Sequence, residues 1–348
     1  MANFDFSNLN LNPREVEEIS KVIFEQVFTN PALEKMHRIE EGIDMKTQIV
    51  LMNKLGLVSR ASTGCSPQES DAGLVASQKY WEPSKLETRF GFCKDTEIPV
   101  LLKAFGRQQN KFDMTGSPEV QILAQKLAEG LDESVRTLAW FGDKDAAIVA
   151  SGGTISDTAD VTLVNTVNGF WKQIFAGVTA GKIKRTTIGA NTGSTYTAQE
   201  LSAGEALTSL RNAYNQADSR LKNSSDSQFY VTQSIYDNFL DRLEDAGLNA
   251  VGQLAINDGV MSYRGKEIIV ANDWDNHIAE YEDNGTKYNL PNRIVFSTPE
   301  NLPIGTLDKG EFKEVNIWYD ATLRKVFIEN LYSLDAKVLE EYMISVAY

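Results

Sequence analysis

Cysteine and histidine are nearly absent from this chain, with two of each in 348 residues. Cys65 and Cys93 are too few for a disulfide framework and have no metal-ligand spacing, so they read as ordinary reduced thiols. His37 and His277 stand in no HExxH or other recognisable motif, which leaves Ser–His and Cys–His nucleophile chemistry without an evident base. No apolar run approaches the roughly 20 residues of a membrane span. The opening residues, MANFDFSNLNLNPREVEE, lack both the basic start and the apolar core of a signal peptide, so synthesis in the cytoplasm is expected. Basic residues are also in short supply: 34 Lys and Arg face 48 Asp and Glu, for a net charge of −14. Such a surface repels phosphate backbones and argues against a dedicated nucleic-acid binder. It does not argue against a container whose contents carry their own counterions.

What is present suits a soluble folded protein. Hydrophobic residues make up 42% and charged residues 24%, and the length allows a sizeable core and two domains. In NPREVEEISKVIFEQVF, Asn12 suits a helix cap and Pro13 the first turn, and Val16, Ile19, Ile23 and Val27 make an apolar stripe. Segments 72–82 and 85–94, separated by Glu82-Pro83, read as extended pieces of a protruding hairpin that needs a partner surface. A long helix is predicted from Ser117 to Phe141, with Val120, Leu123, Leu127, Leu131, Val135 and Leu138 on one face. A shorter one is expected within 162–181. Thr197 to Glu200 has the form of a capping box opening a helix through Leu207, Leu210, Tyr214 and Leu221. A strand at Phe229–Val231 feeds a helix carrying Ile235, Phe239 and Leu243, with Gly247 at its end. YRGKEIIVAND and NRIVFST read as further strands, and 312–348 as closing antiparallel strands. The class is α+β.

Motifs that carry chemistry are weak. GVTAGKIK falls short of a phosphate loop: Gly177 and Gly181 are one residue too close, and Ile183 stands where Ser or Thr belongs. Ser219 and Lys222 match Ser-x-x-Lys, but the accompanying boxes are missing and the residues fall at the end of an amphipathic helix. The stretch EIIVANDWDNHIAEYEDNGT holds Glu267, Asp273, Asp275, Glu280, Glu282 and Asp283 with no Lys or Arg. It lacks the Gly and the bidentate Glu of a calcium loop, and reads as a solvated loop. Trp81, Trp140, Trp171, Trp274 and Trp318 are spread along the chain without interleaved basic residues, so they read as core and interface anchors rather than a stacking platform. No catalytic residue, metal ligand or cofactor is expected.

Certain segments resemble a known family: GIDMKTQIVLMNKLGLVSRASTGC, LAWFGD after a long helix, GFWKQI, QFYVTQSIYDNFLDRLED and NRIVFSTPENLPIGT. Together, and in this order, they resemble the major capsid proteins of tailed double-stranded DNA bacteriophages, the Hong Kong 97 (HK97-like) fold, in particular those of phages and prophages of Bacteroidetes. The resemblance implies an N-terminal arm (1–54), an extended E-loop (55–95), a P-domain from 96–186 and 305–348 with spine helix 118–141, and an inserted α/β A-domain (187–304). STPENLPIGT then becomes the corner between A- and P-domains, stiffened by Pro299 and Pro303, with Gly305 supplying a free turn. The implied function is structural: self-assembly into pentamers and hexamers of an icosahedral head around double-stranded DNA, in the virion, with scaffolding, portal and decoration proteins as partners. Tyr80, Trp81, Lys85 and Arg89 are the expected inter-subunit contacts. No crosslinking Lys, Asn or catalytic Glu can be matched. Two other readings are an encapsulin-type compartment shell, and a hydrolase using Ser219/Lys222 or the acidic stretch as a metal site.

Overall fold

The structure is a computed structural model that describes residues 31–43, 45–52, 59, 76–93, 130–131, 133–246, 256–257, 260–307, 316–320 and 325–348. The predicted helix after Asn12, most of the long helix before Phe141, Cys65 and Gly247 lie outside the described residues.

The strands in chain order are β1 (Ile39–Glu40), β2 (Gln48–Met52), β3 (Ala76–Tyr80), β4 (Ser84–Cys93), β5 (Lys184–Thr186), β6 (Gln228–Val231) and β7 (Ile256–Asn257). They continue with β8 (Val260–Tyr263), β9 (Lys266–Val270), β10 (Ile294–Ser297), β11 (Ile304–Gly305), β12 (Asn316–Asp320), β13 (Lys325–Ala336) and β14 (Ser345–Ala347). One sheet is organised on the long strand β13. Strand β4 runs antiparallel along it from Lys325↔Cys93 to Leu334↔Ser84, while β12 and β11 share its other side, and β1 adds parallel to β11. A second sheet has the order β5-β14-β10-β6-β9-β8-β7. Strands β2 and β3 form a separate antiparallel ribbon.

The second sheet is covered on both faces, and the alternation of its residues shows how. Val295 pairs with Tyr230 and with Val346. All three point into a cluster with Trp140, Trp171, Ile174, Trp274 and Ile278. Their neighbours Phe229, Val231, Ile294, Phe296 and Ala347 point the other way, onto Leu210, Ala213, Ile235 and Phe239. A strand buried on both faces reads as a continuous apolar run, which is why IVF and FYV carry no polar residue. The helices Glu205–Gln216 and Gln233–Ala246 therefore lie on one face. Phe170–Thr179, Asn272–Tyr281 and the helical residues 133–141 lie on the other. The second of these clusters of helices also reaches Leu334, Ala336 and Ile304 of the first sheet, so the two sheets share a core.

Several expectations change. Residues 197–199 form only a 3-10 turn, and the helix begins at Glu205. Gly204 takes the cap position, and just before it Ser202 N and Oγ donate to Glu205 Oε2 at 3.1 and 2.8 Å. That helix ends at Gln216, and Asp218 caps a separate short helix, Ser219–Asn223. The acidic stretch holds a helix, Asn272–Tyr281, not a solvated loop: Trp274, His277 and Ile278 are buried on one side and the acids stand around the rest. The final strand β14 joins the second sheet, between β5 and β10, rather than closing the first. Gly305 is not a turn at all. It lies in β11, where a Cβ would sit 2.8 Å from Trp81 Cε3 and Cζ3 and 2.8 Å from Ile43 Cδ1. It is required for space.

Candidate assembly surface

The ribbon β2–β3 presents two unlike faces. Paired residues share a side of a sheet, so Gln48, Val50 and Met52 lie with Tyr80, Gln78 and Ala76. That face is exposed, with Val50 at 52%, Met52 at 65% and Tyr80 at 37%, and Met45 just before it at 72%. The opposite face, Ile49 and Leu51 with Lys79, is half-buried.

The root of the ribbon is fixed to the body. Trp81 N donates to Thr47 O at 2.8 Å, closing the ribbon. Lys79 Nζ reaches Val338 O at 2.8 Å and Glu341 Oε1 at 2.7 Å. Glu82 N donates to Asp335 Oδ2 at 2.7 Å. Asp335 is buried in β13, its pKa is raised by burial, and Lys337 Nζ stands 3.2 Å away. Lys46 spans the exit, bonded to Glu82 at 2.5 Å and lying 5.0 Å over the Tyr80 ring.

Of the four expected contact residues, Tyr80, Lys85 and Arg89 are exposed. Trp81 is only 2% exposed, its ring spent inside the subunit against Gly305, so almost none of it is left for a neighbour. Lys85 and Arg89 share one side of β4, opposite Ser333 and Glu329 of β13. Exposed Leu331 sits between them on the neighbouring strand, paired with Glu87.

The other candidates take structural places. Ser219 is exposed, while Lys222 Nζ donates to Asn215 O at 2.7 Å and lies 5.6 Å over the Tyr214 ring. The acids of 267–283 diverge: Glu267 meets Lys35, Asp273 meets Arg136 at 3.3 Å, Asp275 accepts from Gln233 N at 2.9 Å, and Asp283 accepts from the Tyr196 hydroxyl at 2.6 Å. Among the described residues no group of three or more His, Cys, Asp or Glu could hold a metal ion, and no described helix is long and apolar enough to cross a membrane. Trp140, Trp171 and Trp274 meet in one cluster, with Trp274 at 4.5 Å from Trp140 and 5.1 Å from Trp171.

Sequence reasoning missed one buried ionic centre. Arg293 is fully buried, paired with Glu282, and its guanidinium lies 5.1 Å from the Phe141 ring and 5.0 Å from the Trp171 ring. An Arg directly before an all-apolar strand was the available signal; its partner, eleven residues earlier, had none.

No protein-family model matches the sequence, and no curated protein matches it. Solved structures are similar in shape. The procapsid of satellite phage P4, which includes its size determination protein, gives a TM-score of 0.53 at 12% identity, over 94% of this chain and 97% of that chain. A structure from Mycobacterium phage Ogopogo gives 0.53 at 12% identity, covering 90% of each chain. One from Gordonia phage Cozz gives 0.50 at 14% identity, over 90% of this chain and 85% of that one.

Proposed function

We propose, for a chain that has the HK97-like α+β fold over nearly its whole length, that it is the major capsid protein of a tailed double-stranded DNA phage or prophage. Subunits assemble into pentamers and hexamers, and these close an icosahedral shell around DNA in the virion. The role is structural and has no catalytic step. Scaffolding, portal and decoration proteins are its partners in the assembled head.

The observation that carries this reading is the ribbon β2–β3. A two-stranded ribbon is marginal in water unless something covers it. Here one face is half-buried and tied to the subunit's own body through Lys79, and the other shows Val50, Met52 and Tyr80 to the outside. An extended element with a fixed root and an uncovered apolar face suits burial on the next copy of the same chain, in head-to-tail contacts that close into rings. In this account the ribbon joins the end of the arm (1–54), which holds β2, to the extended E-loop (55–95), which holds β3; β12 and β13 belong to the P-domain, and β6 to β10 with the helices between them to the A-domain (187–304). Tyr80, Lys85 and Arg89 meet a neighbouring subunit.

Negative-stain microscopy and light scattering of the purified protein at micromolar concentration test this. Closed shells or rings of five and six are expected. Val50→Asp with Met52→Asp leaves the free energy of unfolding within about 0.5 kcal/mol of wild type, because the face is solvated in the monomer, yet abolishes assembly. A wild-type protein that stays a 38.7 kDa monomer at any salt, with a cognate scaffold supplied, sinks the reading.

A further inference from the structure

His37 follows the helix Pro31–Met36 and is 2% exposed. Its ring stacks on Phe170 at 5.0 Å and 12°, and more distantly on Tyr230 at 6.2 Å and 7°. Both ring nitrogens are engaged. Trp140 Nε1 is 3.0 Å from Nε2, and the Leu302 carbonyl is 2.9 Å from Nδ1. An indole N–H only donates and a carbonyl only accepts. The neutral ring with its proton on Nδ1 is therefore the single form that satisfies both partners. A proton on Nε2 would set two donors against each other.

Among the described residues the surroundings offer that proton no counter-ion. The helical residues 133–141 bring the Arg136 cation, whose carboxylate partner, Asp273, comes from the helix Asn272–Tyr281. Strand β6 brings the neutral Tyr230, the helix Phe170–Thr179 brings the Phe170 ring, and residue 302 brings its carbonyl. On the segment itself, Lys35 is paired with Glu267, and Arg38 with Glu300 and Glu40. No carboxylate acts on the ring among the described residues.

The ring sits where one segment joins the body. Tyr230 Oη donates to Met36 O at 2.6 Å, and Gln228 Nε2 to Lys35 O at 2.9 Å. Arg38 N donates to Pro299 O at 3.2 Å, Ile304 N to Arg38 O at 2.8 Å, and Ile43 N to Thr306 O at 3.1 Å. Two of these bonds come from side chains of β6 and three from main chain at 299–306, all onto the main chain of the segment, and His37 is the side chain driven into the core between them.

We propose that His37 is an acid-sensitive latch: its neutral ring fixes residues 31–43 to the body, and its protonation frees that segment, strand β1 included, while the rest of both sheets stays folded. The latch belongs to the subunit and stands whether or not the chain assembles. Burial, the largest influence, brings the His37 pKa down to about 4, the Leu302 carbonyl opposes it, and Arg136 adds to it. A base with a depressed pKa in the latched state holds fully above its free pKa of about 6.5 and weakens as pH falls from there. Between about pH 7.5 and about pH 5 the released fraction rises about 30-fold.

Hydrogen exchange of the intact protein at those two pH values, corrected for intrinsic rates, reads this directly. Protection of amides in 38–43 is expected to fall about 30-fold, with β10 and β14 protected as before. His37→Phe keeps a ring on Phe170 and removes both nitrogens, so its acid response disappears. His277→Phe, at the other buried histidine, leaves the response in place. Should His37→Phe fail to fold, imidazole titration of the wild type decides, since His277→Phe assigns the two ring signals. Equal protection of 38–43 at both pH values, an acid response surviving in His37→Phe, or a His37 ring titrating near its free value with the segment still protected would each overturn the latch.

Discussion

The pair Arg293–Glu282 allows a sharp test of what holds this core. Arg293 precedes β10 with no exposed side-chain surface, and Glu282 ends the helix Asn272–Tyr281. Arg293 donates from Nε to Leu290 O at 2.8 Å and from Nη2 to Asn289 O at 2.8 Å. Those carbonyls belong to a turn in which Leu290 has φ 49°, a left-handed conformation that a leucine rarely adopts. Burial lowers the Arg293 pKa and raises that of Glu282, in each case outweighing the partner's attraction. Taking both charges from water thus costs more than their pairing returns, yet a lone survivor is worse off. Glu282→Gln should cost about 3–5 kcal/mol, because the Arg293 cation cannot neutralise itself. Arg293→Met strands a carboxylate that can escape by protonation, so its cost shrinks as pH falls. Arg293→Met with Glu282→Met loses the two carbonyl contacts but no charge is left over, and it should cost about 1–2 kcal/mol. Urea unfolding of the two singles and the double at neutral and mildly acid pH measures all of this. A Glu282→Gln variant within about 1 kcal/mol of wild type, or a double variant costing the sum of the singles, refutes the reasoning.

Two further substitutions have defined outcomes. Gly305→Ala puts a methyl carbon 2.8 Å from the buried Trp81 ring and from Ile43; it should cost about 1–3 kcal/mol and lower the thermal midpoint, and an unchanged midpoint contradicts the packing described. Asp275, pushed up to about 6 by burial, accepts from Gln233 N at the start of the helix Gln233–Ala246. A raised carboxylate pKa means stability is lost as pH rises from the free value toward the folded one. Asp275→Asn keeps an acceptor without the charge, so it should stabilise by about 1–2 kcal/mol above pH 6, allowing for partial exposure, and by nothing near pH 4. A gap that is flat with pH denies that cause.

Much of the fold was legible because local period and burial agree. FYV and IVF are unbroken apolar runs since both faces of their sheet are covered. Where two local signals fit equally well, tertiary contacts chose between them. TAQE and SAGE both have the form of a capping box; the helix starts at the end of the second because Gly204 takes the cap position at φ 76° and Asn238 Oδ1 receives Ala206 N at 3.1 Å. In the acidic stretch the charges mask the spacing, for Trp274, His277 and Ile278 step by three and one, as one face of a helix requires.

The candidate site was less legible, for a different reason. Trp81 and Tyr80 are adjacent aromatics in an extended segment, and nothing local says which faces inward. That is decided by Gly305, more than two hundred residues later, whose missing side chain makes the slot that Trp81 fills. With Trp81 turned in, strand alternation turns Tyr80 out beside Val50 and Met52. The exposed apolar face and the buried anchor are thus one arrangement. It follows that Gly305→Ala, by pushing on Trp81, should disturb assembly at temperatures well below its unfolding midpoint, whereas changes at Val50 and Met52 should disturb assembly alone.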